Sequence, residues 1–364
     1  MRALFVVPYP HDTVPGQRFR FEQWLPMLPP GSVDVDVRPL FSAAAYRQLY
    51  EPGRVGTKLA GLVAGLARRV RDLVTAGRYD VALLYREAFA LGPAILDVFL
   101  ERRLPVVYDF DDAIFLGRTS ANNRSVQMLK WPQKVAQIVA GATITTVGND
   151  WLAGFAREFS DHVVVLPTTI DVEKYRVRPA RRHEFVRLGW SGSPTTVEHL
   201  HTVDRPLARL LDDLPLELTV VGDAAYSLPG TESLALRVSA RAWSAATEVD
   251  DIASFDIGIM PLPDDDWSRG KCGLKALQYL AAGVATVASP VGVNSEIIRP
   301  GDNGLLASGE EEWYEAVRSL ATDEQLRRRL GAAGRRTVVE RYSGQRWAPR
   351  FLDVLEQAAS TRLG

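Results

Sequence analysis

Glycine, lysine and a helix start come together in Arg269-Gly270-Lys271-Cys272-Gly273-Leu274-Lys275, which runs on into Ala276-Leu277-Gln278-Tyr279-Leu280-Ala281-Ala282-Gly283. Glycines 270 and 273 allow a backbone to approach a ligand closely. A helix beginning near Gly273 offers unpaired N–H groups and a positive dipole end. Lys271 and Lys275 add two point charges at the same place. Together these suit a diphosphate. The alternative is a surface helix with ordinary lysines. Against it, the chain has only six lysines, and two of them are paired here.

A second cluster is Tyr108-Asp109-Phe110-Asp111-Asp112. Three adjacent carboxylates repel unless cations or hydroxyls share the site. Asp109, Asp111 or Asp112 could bind hydroxyl groups or accept a proton from one. A divalent metal on the Asp-x-Asp spacing and simple helix capping are the competing readings. The loop after the first apolar run contains Gly16 and Arg18, and Arg18 could meet an anion. Tyr85-Arg86-Glu87 ends another apolar run. Leu188-Gly189-Trp190-Ser191-Gly192-Ser193-Pro194-Thr195-Thr196 can cap a helix and present N–H groups to a phosphate.

The elements that must hold these groups are legible as an alternation. Apolar, β-branched runs at 3–7, 33–38, 81–85, 106–109, 143–147 and 163–166 read as strands. Amphipathic stretches at 20–27, 55–75, 93–103, 125–139 and 150–159 separate them. The alternation pauses at 167–184 and restarts with strands at 187–191, 216–222, 240–243, 257–261, 285–288 and 304–306. Helical stretches at 196–212, 249–254, 273–281, 294–299, 310–322 and 323–342 follow the same rule. Continuous apolar strands between helices predict parallel sheets covered on both faces. The chain therefore reads as α/β, with two doubly wound Rossmann-like domains at 1–170 and 180–343. The segment 345–364 is expected to pack back on the first domain. Ligands of such sheets bind beyond the carboxyl ends of the strands, so the active site is expected in a cleft between the domains.

Composition bounds the function. The 364 residues carry 43 Lys+Arg against 44 Asp+Glu, a net charge of -1, which gives no basic field for nucleic acid. The lone Cys272 excludes an intramolecular disulfide and a cysteine-rich metal site. His199 and His201 are two apart on a predicted helix and point to different faces. The opening MRALFVVPYP lacks the pattern of a secretory leader. The expectation is a cytoplasmic protein, with peripheral contact at the inner membrane face left open. Oligomeric state is not legible.

The block GKCGLKALQYLAAGVATVASPVGVNSEII resembles the donor-binding block of retaining GT-B glycosyltransferases of family 4. Phe255-Asp256-Ile257-Gly258-Ile259-Met260-Pro261, Val220-Val221-Gly222-Asp223 and Val165-Leu166-Pro167-Thr168-Thr169-Ile170-Asp171 resemble three further motifs of that family. The resemblance implies transfer of a sugar from a nucleotide-diphosphate sugar to an unidentified acceptor, with retention, no metal and no cofactor. It places Gly189, Ser191, Gly192, Ser193, Lys271, Cys272, Gly273, Leu274, Lys275, Gln278 and Glu296 at the donor. It places Asp109, Asp111 and Asp112 near the chemistry, and Gly16, Arg18, Tyr85 and Arg86 on the acceptor side. Two departures stand out. Gly270 and Gln278 occupy the positions of the family's paired glutamates, and no basic pair follows the 187–191 strand. Lys271 and Lys275 are expected to supply the missing charge. A sugar-nucleotide epimerase or hydrolase, or a non-catalytic sugar-nucleotide binder, are the rival readings.

Overall fold

The computed structural model describes residues 1–49, 55–89, 91–117, 131–177, 184–231 and 236–361. The chain divides into two compact units. Unit 1 is Met1–Thr168 with Gln345–Gly364, and unit 2 is Thr169–Gly344.

Unit 1 is built on a six-stranded parallel sheet of β1 (Arg2–Val7), β2 (Asp34–Pro39), β3 (Val81–Tyr85), β4 (Val106–Phe110), β5 (Ile144–Val147) and β6 (Val163–Val165), in the order β2-β1-β3-β4-β5-β6. Strands β1, β3, β4 and β5 are almost wholly buried, which is why they read as unbroken apolar runs. The tail helix Gly344–Ser360 belongs to this core from residue 345 onward. Its Phe351 ring meets Phe5 edge-on at 6.1 Å and Trp24 at 5.1 Å. On the other face, the helix Val55–Thr75 sends Arg69 inward. Its guanidinium donates to the carbonyls of Val7, Arg38 and Ala88, so one side chain closes the ends of β1 and β2 and the turn after β3. Burial pushes the Arg69 pKa down to about 10, against the pull of Asp72.

Unit 2 repeats the architecture with β7 (Val186–Ser191), β8 (Leu216–Val221), β9 (Val238–Arg241), β10 (Ile257–Met260), β11 (Ala285–Ala288) and β12 (Leu305–Leu306), in the order β12-β11-β10-β7-β8-β9. All pairings are parallel. The chain enters and leaves this unit side by side. Ile170 N–H donates to Tyr342 O, and Gly344 N–H donates to Ile170 O, both at 2.8 Å.

The helices depart from expectation where the backbone is broken locally. The stretch 20–27 is a π turn at Arg18–Glu22 and a 3-10 turn at Leu25–Met27, because Pro26 cannot continue an α-helix. The expected helix 196–212 is three pieces, Val197–Leu200, His201–Val203 and Asp204–Asp213. Of 125–139, residues 125–130 lie outside the described residues, as do 178–183 of the linker and 362–364 of the tail; the helix itself is Lys134–Gly141. Short helices at Ala43–Leu49 and Asp266–Arg269 were not expected.

Glu101 in unit 1 makes no ion pair among the described residues. Glu101 ends the helix Ile95–Glu101, and a Cβ on Gly141 would lie only 2.1 Å from its Oε2. Its Oε1 is buried and makes no hydrogen bond. Burial, with Asp97 adding to it, pushes the Glu101 carboxyl up to about 8 from its ordinary 4.5. Between those values the folded chain holds a proton that the unfolded chain has released, so stability falls as pH rises through the window. Thermal melts at steps from about pH 5 to about pH 8 should show this decline. In Glu101→Gln the decline should be visibly shallower, and an unchanged slope would mean Glu101 is ionised in the folded protein.

Candidate functional site

In unit 2 the glycine-lysine block folds as a turn followed by the helix Leu274–Ala281. Gly273 caps it at φ +69°, and a Cβ there would fall 2.4 Å from Ile297 Cδ1, so a side chain is excluded twice over. Tyr279 anchors the helix from below. Its buried hydroxyl accepts the Ser191 N–H at 2.8 Å, and Gly258 on β10 leaves room for its ring. Burial raises the Tyr279 pKa, so the group stays a neutral hydroxyl.

The two lysines flank the start of this helix, each half-buried over an indole. Lys275 Nζ lies 5.3 Å from the Trp190 ring centroid, and Lys271 Nζ lies 4.8 Å from that of Trp267. Such contacts contribute about 0.5–2 kcal/mol each and hold a flexible ammonium in place. Trp190 is itself buried at the end of β7. Beyond it the chain narrows to glycine. A Cβ on Gly192 would meet the Trp190 ring at 2.2 Å, and one on Gly222 would meet Gly192 O at 2.4 Å. Ser193 then forms a turn in which its N–H donates to Thr196 Oγ1 at 3.0 Å. Gly189 lies within β7 against the Phe255 ring, which gives its missing side chain a packing reason.

Gln278 is buried and donates from Nε2 to Tyr175 Oη at 2.7 Å. The Tyr175 hydroxyl reaches Glu248 Oε2 at 3.5 Å, and Trp243 Nε1 donates to Glu248 Oε1 at 3.0 Å. This relay was not visible in the sequence, since its members are scattered from 175 to 278. Cys272 Sγ approaches Gly270 O at 3.8 Å, and Leu274 is half-buried in the same turn. Glu296 is exposed on the short helix Asn294–Ile297.

In unit 1 the strand ends of β3 and β4 bring Tyr85, Arg86, Asp109, Asp111 and Asp112 together, and the carboxylates are shared out between two arginines. Asp109 pairs with the fully buried Arg20, whose Nε is 3.0 Å from Asp109 Oδ2, and accepts from Thr146 Oγ1 at 2.6 Å. Asp111 Oδ1 accepts from Tyr85 Oη at 2.8 Å and Arg86 at 3.0 Å; Asp112 Oδ2 accepts from Arg86 at 2.7 Å. Arg86 has φ +64°, a conformation few side chains adopt, and its N–H donates to Asp109 O at 2.7 Å. Gly16 lies directly on this group, since a Cβ there would sit 2.4 Å from Tyr85 Oη and 2.7 Å from Asp111 Oδ2. Arg18 pairs with Asp12 at 2.8 Å. Among the described residues, no three His, Cys, Asp or Glu side chains are grouped to hold a metal ion. None of the described helices is long and apolar enough to cross a membrane.

The two acids at either end of the 109–112 turn should answer differently to mutation. Asp109→Asn strands a buried guanidinium and should lower unfolding free energy by about 3–5 kcal/mol. Asp112→Asn, half-exposed and sharing its arginine, should change it by about 1 kcal/mol or less. Denaturant titration of both variants checks this. A stable Asp109→Asn protein would show that Arg20 does not depend on this carboxylate.

Residues 187–323 match the family of glycosyl transferases group 1. A GDP-mannose-dependent alpha-(1-6)-phosphatidylinositol dimannoside mannosyltransferase of Mycobacterium tuberculosis is 29% identical over 233 residues, 58% of this chain and 58% of the relative. The match thus spans little more than half of that protein's length. An alpha-maltose-1-phosphate synthase of Mycolicibacterium smegmatis is 32% identical over 96 residues, 24% of this chain and 25% of that one. Among solved structures, a sucrose-phosphate synthase from Thermosynechococcus elongatus aligns with TM-score 0.69 and 14% identity, covering 99% of both chains. Anabaena HepE in complex with UDP aligns with TM-score 0.65 and 16% identity, covering 98% of this chain and 100% of that one. Residues 187–323 thus resemble the glycosyl transferases group 1 family, and the chain as a whole has the GT-B fold of its solved neighbours.

Proposed function

We propose that the chain transfers a sugar from a nucleotide-diphosphate sugar, held by unit 2, to a hydroxyl-bearing acceptor held by unit 1. The observation that carries this is the pair of ammonium groups, Lys271 and Lys275, each seated on an indole beside the N-terminal turn of Leu274–Ala281. Two fixed cations and a run of helix N–H groups form a site for a diphosphate leaving group. Their value in the reaction is electrostatic. They are already oriented when charge develops on the departing phosphate, so no reorganisation is needed at that moment.

The remaining donor residues take subordinate roles in this reading. Ser191, Gly192 and Ser193 supply backbone approach at the end of β7, and Gly273 lets the helix start without a side chain in the way. Gln278, with Tyr175 and Glu248 behind it, presents amide and carboxylate edges to a ribose or base. The relatives do not agree on the nucleotide, one being GDP-mannose-dependent and another solved with UDP. On the acceptor side, Asp111 and Asp112 remain the candidates to meet a hydroxyl, with Arg86 and Tyr85 fixing their orientation. Asp109 is better read as a positioning residue, because Arg20 and Thr146 occupy its oxygens. The resemblance to retaining enzymes supports retention of the sugar's configuration.

The departure at Gly270 favours a second reading, a sugar-nucleotide binder without turnover, since no carboxylate stands there to meet the sugar. Incubation with a panel of nucleotide sugars, with and without acceptor extracts, separates the two. Acceptor-dependent release of nucleoside diphosphate supports transfer. Binding without release supports the alternative, and an altered sugar still attached to its nucleotide would indicate epimerisation.

Titration calorimetry tests the phosphate role directly. Lys275→Ala should weaken nucleoside diphosphate binding by about tenfold to a hundredfold, the loss of one charge-assisted contact, while nucleoside binding changes by less than about twofold. Equal losses for both ligands would remove Lys275 from the diphosphate site.

A further inference from the structure

The helix Val55–Thr75 is turned opposite to the usual arrangement. Its charged residues Arg69 and Asp72 are buried against the sheet, while Leu59, Val63, Leu66, Val70 and Val74 face outward, between 40% and 68% exposed. Their spacing of 4, 3, 4 and 4 residues puts them on one stripe. From Leu59 to Val74 the stripe runs about 22 Å at 1.5 Å per residue. Ala60, Ala64 and Ala67 are exposed beside it; Arg71 is the one exposed charged residue among the described residues of this helix, with Lys58 and Arg68 half-buried. The neighbouring helix Ile95–Glu101 extends the surface with Ile95 and Phe99, both exposed.

The exposed charges of these two helices and of the turn after the second have one sign. Arg71, Arg102 and Arg103 are exposed, and the Arg103 guanidinium lies 4.6 Å from the Phe99 ring centroid. The acids of the two helices all turn inward. Asp72 pairs with Arg69, Asp97 accepts the Ala88 N–H at 2.7 Å, and Glu101 is packed against Gly141. A continuous apolar stripe of this length would not be left to water without an occupant. A second copy of the chain would bring the same arginines against each other across a two-fold axis. A helix lying flat in a bilayer interface meets both conditions, with apolar side chains among the acyl chains and arginines at anionic headgroups.

We propose that the outward face of Val55–Thr75, continued by Ile95 and Phe99, docks unit 1 on an anionic membrane surface. The surface is distant in sequence from every group assigned to the donor, and the proposal does not depend on the transfer reaction.

Sedimentation of the full chain with lipid vesicles tests it, in the absence of any nucleotide sugar. The protein should pellet with vesicles of phosphatidylcholine mixed with phosphatidylglycerol and stay largely in solution with phosphatidylcholine alone. The double variant Val63→Glu, Val70→Glu should reduce binding by about tenfold or more, because two apolar contacts become charges that anionic lipid repels. Both positions are exposed, so its thermal melt should match that of the unaltered chain. Arg102→Ser with Arg103→Ser should weaken binding to anionic vesicles and reduce its sensitivity to salt. Absence of vesicle binding, or equal binding by the double glutamate variant, overturns the proposal. So does a concentration-dependent dimer, seen by light scattering, that the glutamates abolish, since the occupant would then be a second copy.

Discussion

The hydrogen bond from Ser191 N–H to the buried Tyr279 hydroxyl fixes how the helix Leu274–Ala281 sits against the end of β7. It joins the last residue of β7 to the helix Leu274–Ala281. Two glycines make it possible. Gly258 accepts the Tyr279 ring, and Gly189 accepts Phe255, so the helix and its neighbours settle closely onto the sheet. Once the helix is seated, Lys275 comes to rest over Trp190, the residue just before Ser191. Losing the bond would leave a buried N–H unsatisfied, at about 1–3 kcal/mol, and would also free the helix that carries the lysine. Stability and the placement of charge are thus one constraint in this unit.

Unit 1 solves a different electrostatic problem. Three carboxylates within four residues would repel in isolation. Arg20 comes from the first loop and Arg86 from the end of β3, and each takes a share. The buried Arg20–Asp109 pair contributes orientation more than net stability, because desolvating both ions offsets most of their attraction. Arg86 accepts a left-handed backbone, which costs on the order of 1 kcal/mol, and the conformation lets one residue contact Asp109 O, Asp111 and Asp112 at once. The outcome is a polar edge whose acids are held in fixed directions.

Elements governed by their own sequence were legible, and elements governed by distant partners were not. Strands β3 and β11 and the helix Val55–Thr75 match their expected bounds because apolar runs and helical periodicity are local signals. The first-loop region failed as a single helix because Pro15 and Pro26 set its turns. The Asp109 cluster was found, but its reading as three available acids missed Arg20, which is 89 positions away. Likewise the indoles beneath the two lysines were not recognised as supports, although Trp190 and Trp267 stand within or beside the motifs. The outward apolar face of Val55–Thr75 shows the same limit from the other side. Its periodicity announced a helix but not which face would be buried, and the buried face proved to be the one with Arg69.

The replacement of glutamate by Gln278 acquires a reason from the same kind of long-range partner. An amide donates where a carboxylate can only accept. Here Nε2 donates to Tyr175 Oη, which leaves the Tyr175 proton directed toward Glu248. A glutamate at 278 would compete with Glu248 for that single proton and put two buried carboxylates on one hydroxyl. The carboxylate at 248 is instead held by Trp243 Nε1 and Tyr175, and the helix keeps a neutral side chain. The departure from the pattern that the sequence resembles is therefore matched within unit 2 by Tyr175, Glu248 and Trp243, which take up the hydrogen-bonding groups around the neutral amide.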